Sequence, residues 1–201
     1  MSGSTRLATI SDKAGNNVDV VDIKGYEKML ADKNQREIAE MIYHRFYGRY
    51  IKPFLFNDDR YKKHYKQGFS MMASACLLIE ALESFYQGLD RTPYRKNEQA
   101  FKSFFERESD FKEAKFNGKE FYEHVRCGIL HQAETTGGFT ISREGPLFDS
   151  HKNKNTINAH KFLISLEKSL MAYRKRLLNE EWDSEIWDNL RRKMRFTIGH
   201  C

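Results

Sequence analysis

The stretch from about Arg60 to Gly88 constrains the fold most. Its middle, FSMMASACLLIEALESFY, is apolar nearly all round at helical spacing. A helix without a continuous polar face is normally buried on every side, so the other elements must surround it. With 3 prolines against 15 phenylalanines and 10 tyrosines, the rest of the chain can supply further long helices. The longest apolar run, Met71 to Ile79, is interrupted by Ser74 and is too short to cross a bilayer. The expectation is an all-α protein, an antiparallel helical bundle with short loops and no membrane partner.

The flanking segments fit that frame. Residues 1–24 read as an N-terminal arm, either disordered or a short hairpin, whose strand-like piece is Asp19 to Asp22. Residues 25–201 then form a single helical domain. From Lys33 to Tyr50, Ile38, Met41, Ile42 and Phe46 make a helical stripe with Arg45 and Arg49 as a basic margin, closed by Pro53. Asn57, Asp58 and Asp59 supply a turn and a cap for the apolar helix. Glu80 and Glu83 interrupt that helix and are read as its wet flank rather than as part of a polar groove. A helix from Asn97 to Arg107 offers Phe101, Phe104 and Phe105 to the core. Residues 139–148 alternate weakly around Gly145-Pro146, which predicts a short β-hairpin near 138–149. Asn155 or Thr156 is expected to cap a helix reaching Asn179, and Asp183-Ser184 to open a last one with Ile186, Trp187, Leu190 and Met194 inward.

Chemistry concentrates at residues 119–137, KEFYEHVRCGILHQAETTG. On an ideal helix Phe121, Tyr122, Val125, Ile129 and Ala133 share the core face. Arg126 and His131 flank the opposite side, about 140° apart. A long Arg arm can swing toward the imidazole. Such a pair suits phosphodiester chemistry without a metal. His moves a proton near neutral pH, and the planar Arg fork stabilises charge building on phosphoryl oxygens. A stop is expected at Thr135-Thr136-Gly137-Gly138. Gly128 and Leu130, on the polar side, suggest a close approach by a second copy of the chain. The same spacing recurs between Arg195 and His200, where Thr197-Ile198-Gly199 provides no expected helix, and is read as accidental.

The sequence Arg126-Cys127-Gly128-Ile129-Leu130-His131, late in a helix of an all-α domain, resembles the Arg-x(4–6)-His signature of HEPN-domain proteins. The run VRCGILHQAETTGG is similar to a bacterial branch of that family. The resemblance implies a HEPN-like bundle over residues 35–180 that dimerises with its two motif helices facing. It further implies a composite groove in which Arg126 and His131 cleave RNA without metal, the 5′-side product ending in a 2′,3′-cyclic phosphate. A bacterial defence or toxin setting follows from the resemblance alone. Family members modified by a nucleotidyltransferase carry Tyr two residues after the His. Ala133 stands there, so that partnership is not implied. A catalytically silent HEPN module that binds RNA or nucleotides, or serves as a dimerisation partner, is the alternative reading. A purely structural bundle is the third.

The remaining features bound the partners. A net charge of +6 and a pI near 9.1 favour an anionic partner such as RNA. Lys62, Lys63 and Lys66, interleaved with Tyr61 and Tyr65, are candidate RNA-binding residues. The basic clusters near Arg174 and Arg191 face nearby acidic residues and read as solvated helix faces. His124 and His131, flanked by Glu120 and Glu134, lack the Glu-x-x-His pairs of carboxylate-bridged metal bundles, so neither metal nor cofactor is expected. Cys76, Cys127 and Cys201 show no ligand spacing and read as free thiols. The first fifteen residues lack the apolar core of a secretory signal. A cytoplasmic protein is expected.

Overall fold

The computed structural model describes residues 5–12, 16–55, 67–90, 97–152 and 154–200. The chain is mostly helical but not all-α, because it also carries a two-stranded and a three-stranded sheet. It divides into two compact units. The first comprises Met1–Arg49, Ser84–Arg91 and Leu170–Cys201, and the second Tyr50–Glu83 and Thr92–Ser169.

In the first unit β1 (Arg6–Ser11) and β2 (Asn17–Asp22) form an antiparallel hairpin. Leu7, Ala8 and Val21 are buried. Arg45, from the helix Gln35–Phe46, holds the hairpin to that helix. It is buried, and its Nη1 donates to the Leu7 carbonyl at 2.7 Å. The expected basic margin is therefore partly a core contact. Asp22 caps α1 (Ile23–Ala31) by accepting from the Gly25 amide. This helix escaped the sequence reading because it is short and buries only Tyr26. Asn34 caps α2 (Gln35–Phe46), which buries Ile38, Met41, Ile42 and Phe46 as expected. The last helix, Glu185–Gly199, buries Ile186, Trp187, Leu190 and Met194.

The second unit holds most of the apolar helix Gly68–Gln87. Residues 56–66, including the expected turn at Asn57 to Asp59, lie outside the described residues. The helix has the length and composition of a membrane span, unlike the shorter run singled out in the sequence. Yet 56% of its most apolar window is buried inside the protein, as in a core helix. Its one large exposed hydrophobic is Leu77, 46% accessible. The same unit holds a phenylalanine cluster. Phe101, Phe104 and Phe105 come from the helix Asn97–Arg107, Phe111 from the short helix Ser109–Glu113, and Phe162 from the helix Ala159–Asn179. Phe121 stacks on Phe162 at 5.5 Å, and Phe105 meets Phe121 edge-on at 5.0 Å.

The hairpin expected near 138–149 is replaced by a different topology. β3 (Phe139–Ser142) and β4 (Phe148–His151) do not pair with each other; β5 (Lys154–Asn158) lies between them. It runs parallel to β3 and antiparallel to β4. The long helix accordingly begins at Ala159, not at Asn155 or Thr156. The β-branched Thr156 and Ile157 suit the sheet. Asn158 supplies the cap: its Oδ1 accepts from the Lys161 amide at 3.1 Å, and its Nδ2 donates to the Gly145 carbonyl at 3.0 Å.

Candidate active site

The motif helix spans residues 118–132. It opens as Gly118–Glu120, widens into a π turn over Phe121–Arg126, and closes as an α turn over Cys127–Gln132. Asn117 caps it, its Oδ1 accepting from the Lys119 and Glu120 amides. Phe121, Val125 and Ile129 are buried as expected. Tyr122 is only half-buried and Ala133 is exposed, which departs from the ideal-helix core face. The π turn inserts an i→i+5 step that shifts the register, and Ala133 already lies outside the helix.

The helix stops at Ala133, in the left-handed region at φ 56°, and not at Thr135 to Gly138. The Glu134 amide donates back to the Gly128 carbonyl at 3.3 Å. The chain turns so tightly that a Cβ on Gly128 would lie 2.4 Å from the Glu134 carbonyl oxygen. Gly128 thus permits a close approach within the chain itself, by the turn that follows the helix. Because the obstructing atom is backbone, Gly128→Ala is expected to cost about 1–3 kcal/mol, the usual range for overpacking. Urea denaturation checks this; a loss below about 0.5 kcal/mol contradicts it. Past the turn, the Thr136 amide donates to the His124 carbonyl at 3.0 Å, and His124 Nδ1 lies 3.0 Å from Thr136 Oγ1. His124 is a strut for this return, stacked on Phe139.

Arg126 and His131 come together. Arg126 Nη1 stands 3.1 Å from His131 Nε2, so the swing of the Arg arm closes the angular gap between them. Arg126 Nε donates to Glu80 Oε1 at 2.8 Å, and its guanidinium carbon lies 5.7 Å from the Tyr122 ring centre. Burial opposes the charge of Arg126. The hydrogen bond and negative charge of Glu80 outweigh it, and the guanidinium is held above its usual range. Since Arg has no acceptor, the contact is a hydrogen bond in the tautomer whose Nε2 carries the lone pair. His131 itself is exposed.

Glu80 is therefore no wet-flank residue but the partner of Arg126, and it is the site residue that sequence reasoning missed. A carboxylate in an otherwise apolar helix needs compensation, which was the available signal; the Arg that supplies it lies 46 residues away. Glu83 is likewise inside, 2% exposed, and ion-paired with Arg107. Cys76, fully buried, has its thiol pushed up by burial first and by Glu80 second, so it stays protonated. Burial and then the hydrogen bond with Cys127 raise the Tyr122 phenol.

Lys62, Lys63 and Lys66, with Tyr61 and Tyr65, lie outside the described residues. At the second Arg/His spacing the helix does persist, to Gly199, contrary to expectation. His200 nevertheless turns its Nδ1 to the Phe196 carbonyl at 2.8 Å rather than to Arg195. Among the described residues no group of three or more His, Cys, Asp or Glu is placed to hold a metal ion. Comparison with family models, curated proteins and solved structures found no match.

Proposed function

We propose that the protein is a metal-independent endoribonuclease of HEPN type, with Arg126 and His131 as its catalytic residues and Glu80 as the positioning residue. The observation that carries this reading is the contact of Arg126 with both Glu80 and His131. Glu80 fixes the guanidinium through Nε, which leaves the Nη donors for His131 or for a phosphoryl oxygen. His131 Nε2, bearing a lone pair, takes the proton from an RNA 2′-hydroxyl. The 2′-oxygen forms a bond to phosphorus, the bond from phosphorus to the 5′-oxygen breaks, and the leaving oxygen takes up a proton. Once protonated, Nε2 is a donor and can no longer accept from Arg126. The released Nη1 is then available to the charge developing on the phosphoryl oxygens. Proton uptake and transition-state stabilisation are coupled through one contact.

Two expectations test this. Cleavage of total RNA by purified protein should persist in EDTA, and a 2′-O-methyl group at the scissile nucleotide should abolish it. Loss of activity in EDTA, or cleavage of the methylated bond, overturns the reading. The second concerns assembly. Exposed Leu77 stands three residues from Glu80 on the same helix, so it borders the site, and a second copy would cover it. Light scattering should give about twice 23.8 kDa, with Leu77→Asp shifted toward monomer. A monomeric parent removes the composite groove.

A further inference from the structure

A cavity of about 490 Å³ lies in the second unit, and neither Arg126 nor His131 lines it. One wall is a face of the small sheet. Phe139 and Asn155 are partners in the parallel pair, and Phe148, opposite Ile157, stands on the same face. The other wall is the loop ahead of the motif helix, with Lys115 and Phe116, and the first turn of that helix, with Glu120. Phe116 and Phe148 stack at 4.6 Å, and Phe139 continues the row at 6.4 Å. Phe148 is only half-buried, so it is the ring most open to the cavity.

The polar groups are sparse and specific. Lys115 sits in the left-handed region at φ 60°, where Gly is the unstrained choice. Its ammonium has no ion-pair or hydrogen-bond partner among the described residues. Asn155 accepts from Ser150 through Oδ1, and its Nδ2 donors have no partner among the described residues. Glu120 offers acceptors only; its Oε1 takes a long bond from Asn117 Nδ2 at 3.4 Å, and Oε2 has no partner among the described residues.

We infer that this cavity holds one unpaired base of single-stranded RNA, with the adjoining phosphate on Lys115. The inference takes RNA as ligand from the reading above but does not depend on cleavage. The volume falls within the range of small-ligand pockets. An aromatic wall with an amide donor and a carboxylate is how splayed-out bases are stacked and read at their edges. The carboxylate selects among bases. Guanine presents adjacent N1–H and N2–H donors to it, and its O6 and N7 can accept from Asn155. Uracil sets two carbonyl acceptors around a single N–H and meets Glu120 poorly. The cavity therefore favours guanine over uracil.

The test measures anisotropy of labelled pentanucleotides, UUGUU and UUUUU, on full-length His131→Ala protein in EDTA. UUGUU should bind about tenfold more tightly. Phe148→Ala should remove that advantage, the loss of one base stack. Phe148 also packs in the sheet, so Lys115→Gly provides a second variant that relieves the backbone. It should bind both oligomers more weakly with Tm unchanged or raised. Equal affinity for the two oligomers, or parent-like binding by both variants, overturns the inference. A parent that discriminates the oligomers but cleaves no RNA defeats only the ribonuclease reading. A parent that cleaves without this discrimination defeats only the cavity assignment.

Discussion

His131→Ala is expected to lower the RNA cleavage rate by about 10² to 10⁴, the loss of a positioned general acid or base. The imidazole is exposed and its contact is with Arg126, so the variant should keep the parent's fold and Tm. Arg126→Ala should cost a comparable factor through lost stabilisation of phosphoryl charge. It differs in one respect, because it removes the ion pair of Arg126 with Glu80, and some stability should go with the activity. Arg126→Lys separates the two roles. A lysine can satisfy Glu80 as a point charge, but it lacks the fork that reaches Glu80 and His131 together. That variant should regain stability and remain inactive. Arg195→Ala and His200→Ala should cleave like the parent. The measurement is initial rate on one RNA, with thermal unfolding of each variant in parallel. A His131→Ala enzyme within a few-fold of the parent contradicts the assignment.

The largest stability effect is expected at Phe121→Ala, about 3–5 kcal/mol, typical of a large aromatic deleted from a packed core. Phe121 is fully buried and contacts Phe101, Phe105, Phe116 and Phe162. Four surrounding rings on three segments have little freedom to collapse together into the space. Phe121 also opens the π turn that carries Arg126, so the motif helix should loosen and activity fall with it. Leu130→Ala, on the half-buried side of the same helix, should cost less than half as much. Urea denaturation followed by circular dichroism compares the two. A loss below about 1 kcal/mol for Phe121→Ala, well short of the core range, would mean the cluster does not hold this helix.

What the sequence made legible was mainly periodicity. The core faces of α2, of the helix Asn97–Arg107 and of the last helix are those the spacing predicts, because each is an ordinary amphipathic helix. The motif helix broke the rule in two places. A π turn is invisible to a fixed 100° projection, and it moved Tyr122 off the core face. The stop at Ala133 was hidden because Gly137-Gly138, four residues on, has the better chemistry for a left-handed cap. There Gly137 instead lets the chain pass His124, whose ring a Cβ would meet at 2.5 Å. Asn155 and Thr156 are good caps in isolation, so the sequence predicts a helix start where β5 runs. Only the sheet partners Phe139 and Phe148 make that segment a strand. The Arg/His pair is readable from its spacing only together with its helical context, because Arg195 and His200 share the spacing, whereas its Glu80 buttress requires a contact across 46 residues.

If Arg126 and His131 cut RNA through its own 2′-hydroxyl, the fragment ends record it. The most direct measurement is mass spectrometry of the 3′ end of the 5′-side fragment, after digestion of a defined RNA in EDTA by parent and His131→Ala protein. The predicted result is a 2′,3′-cyclic phosphate from the parent and no fragment from the variant. A 3′-hydroxyl end, or the same cyclic end at the same rate from His131→Ala, would contradict it.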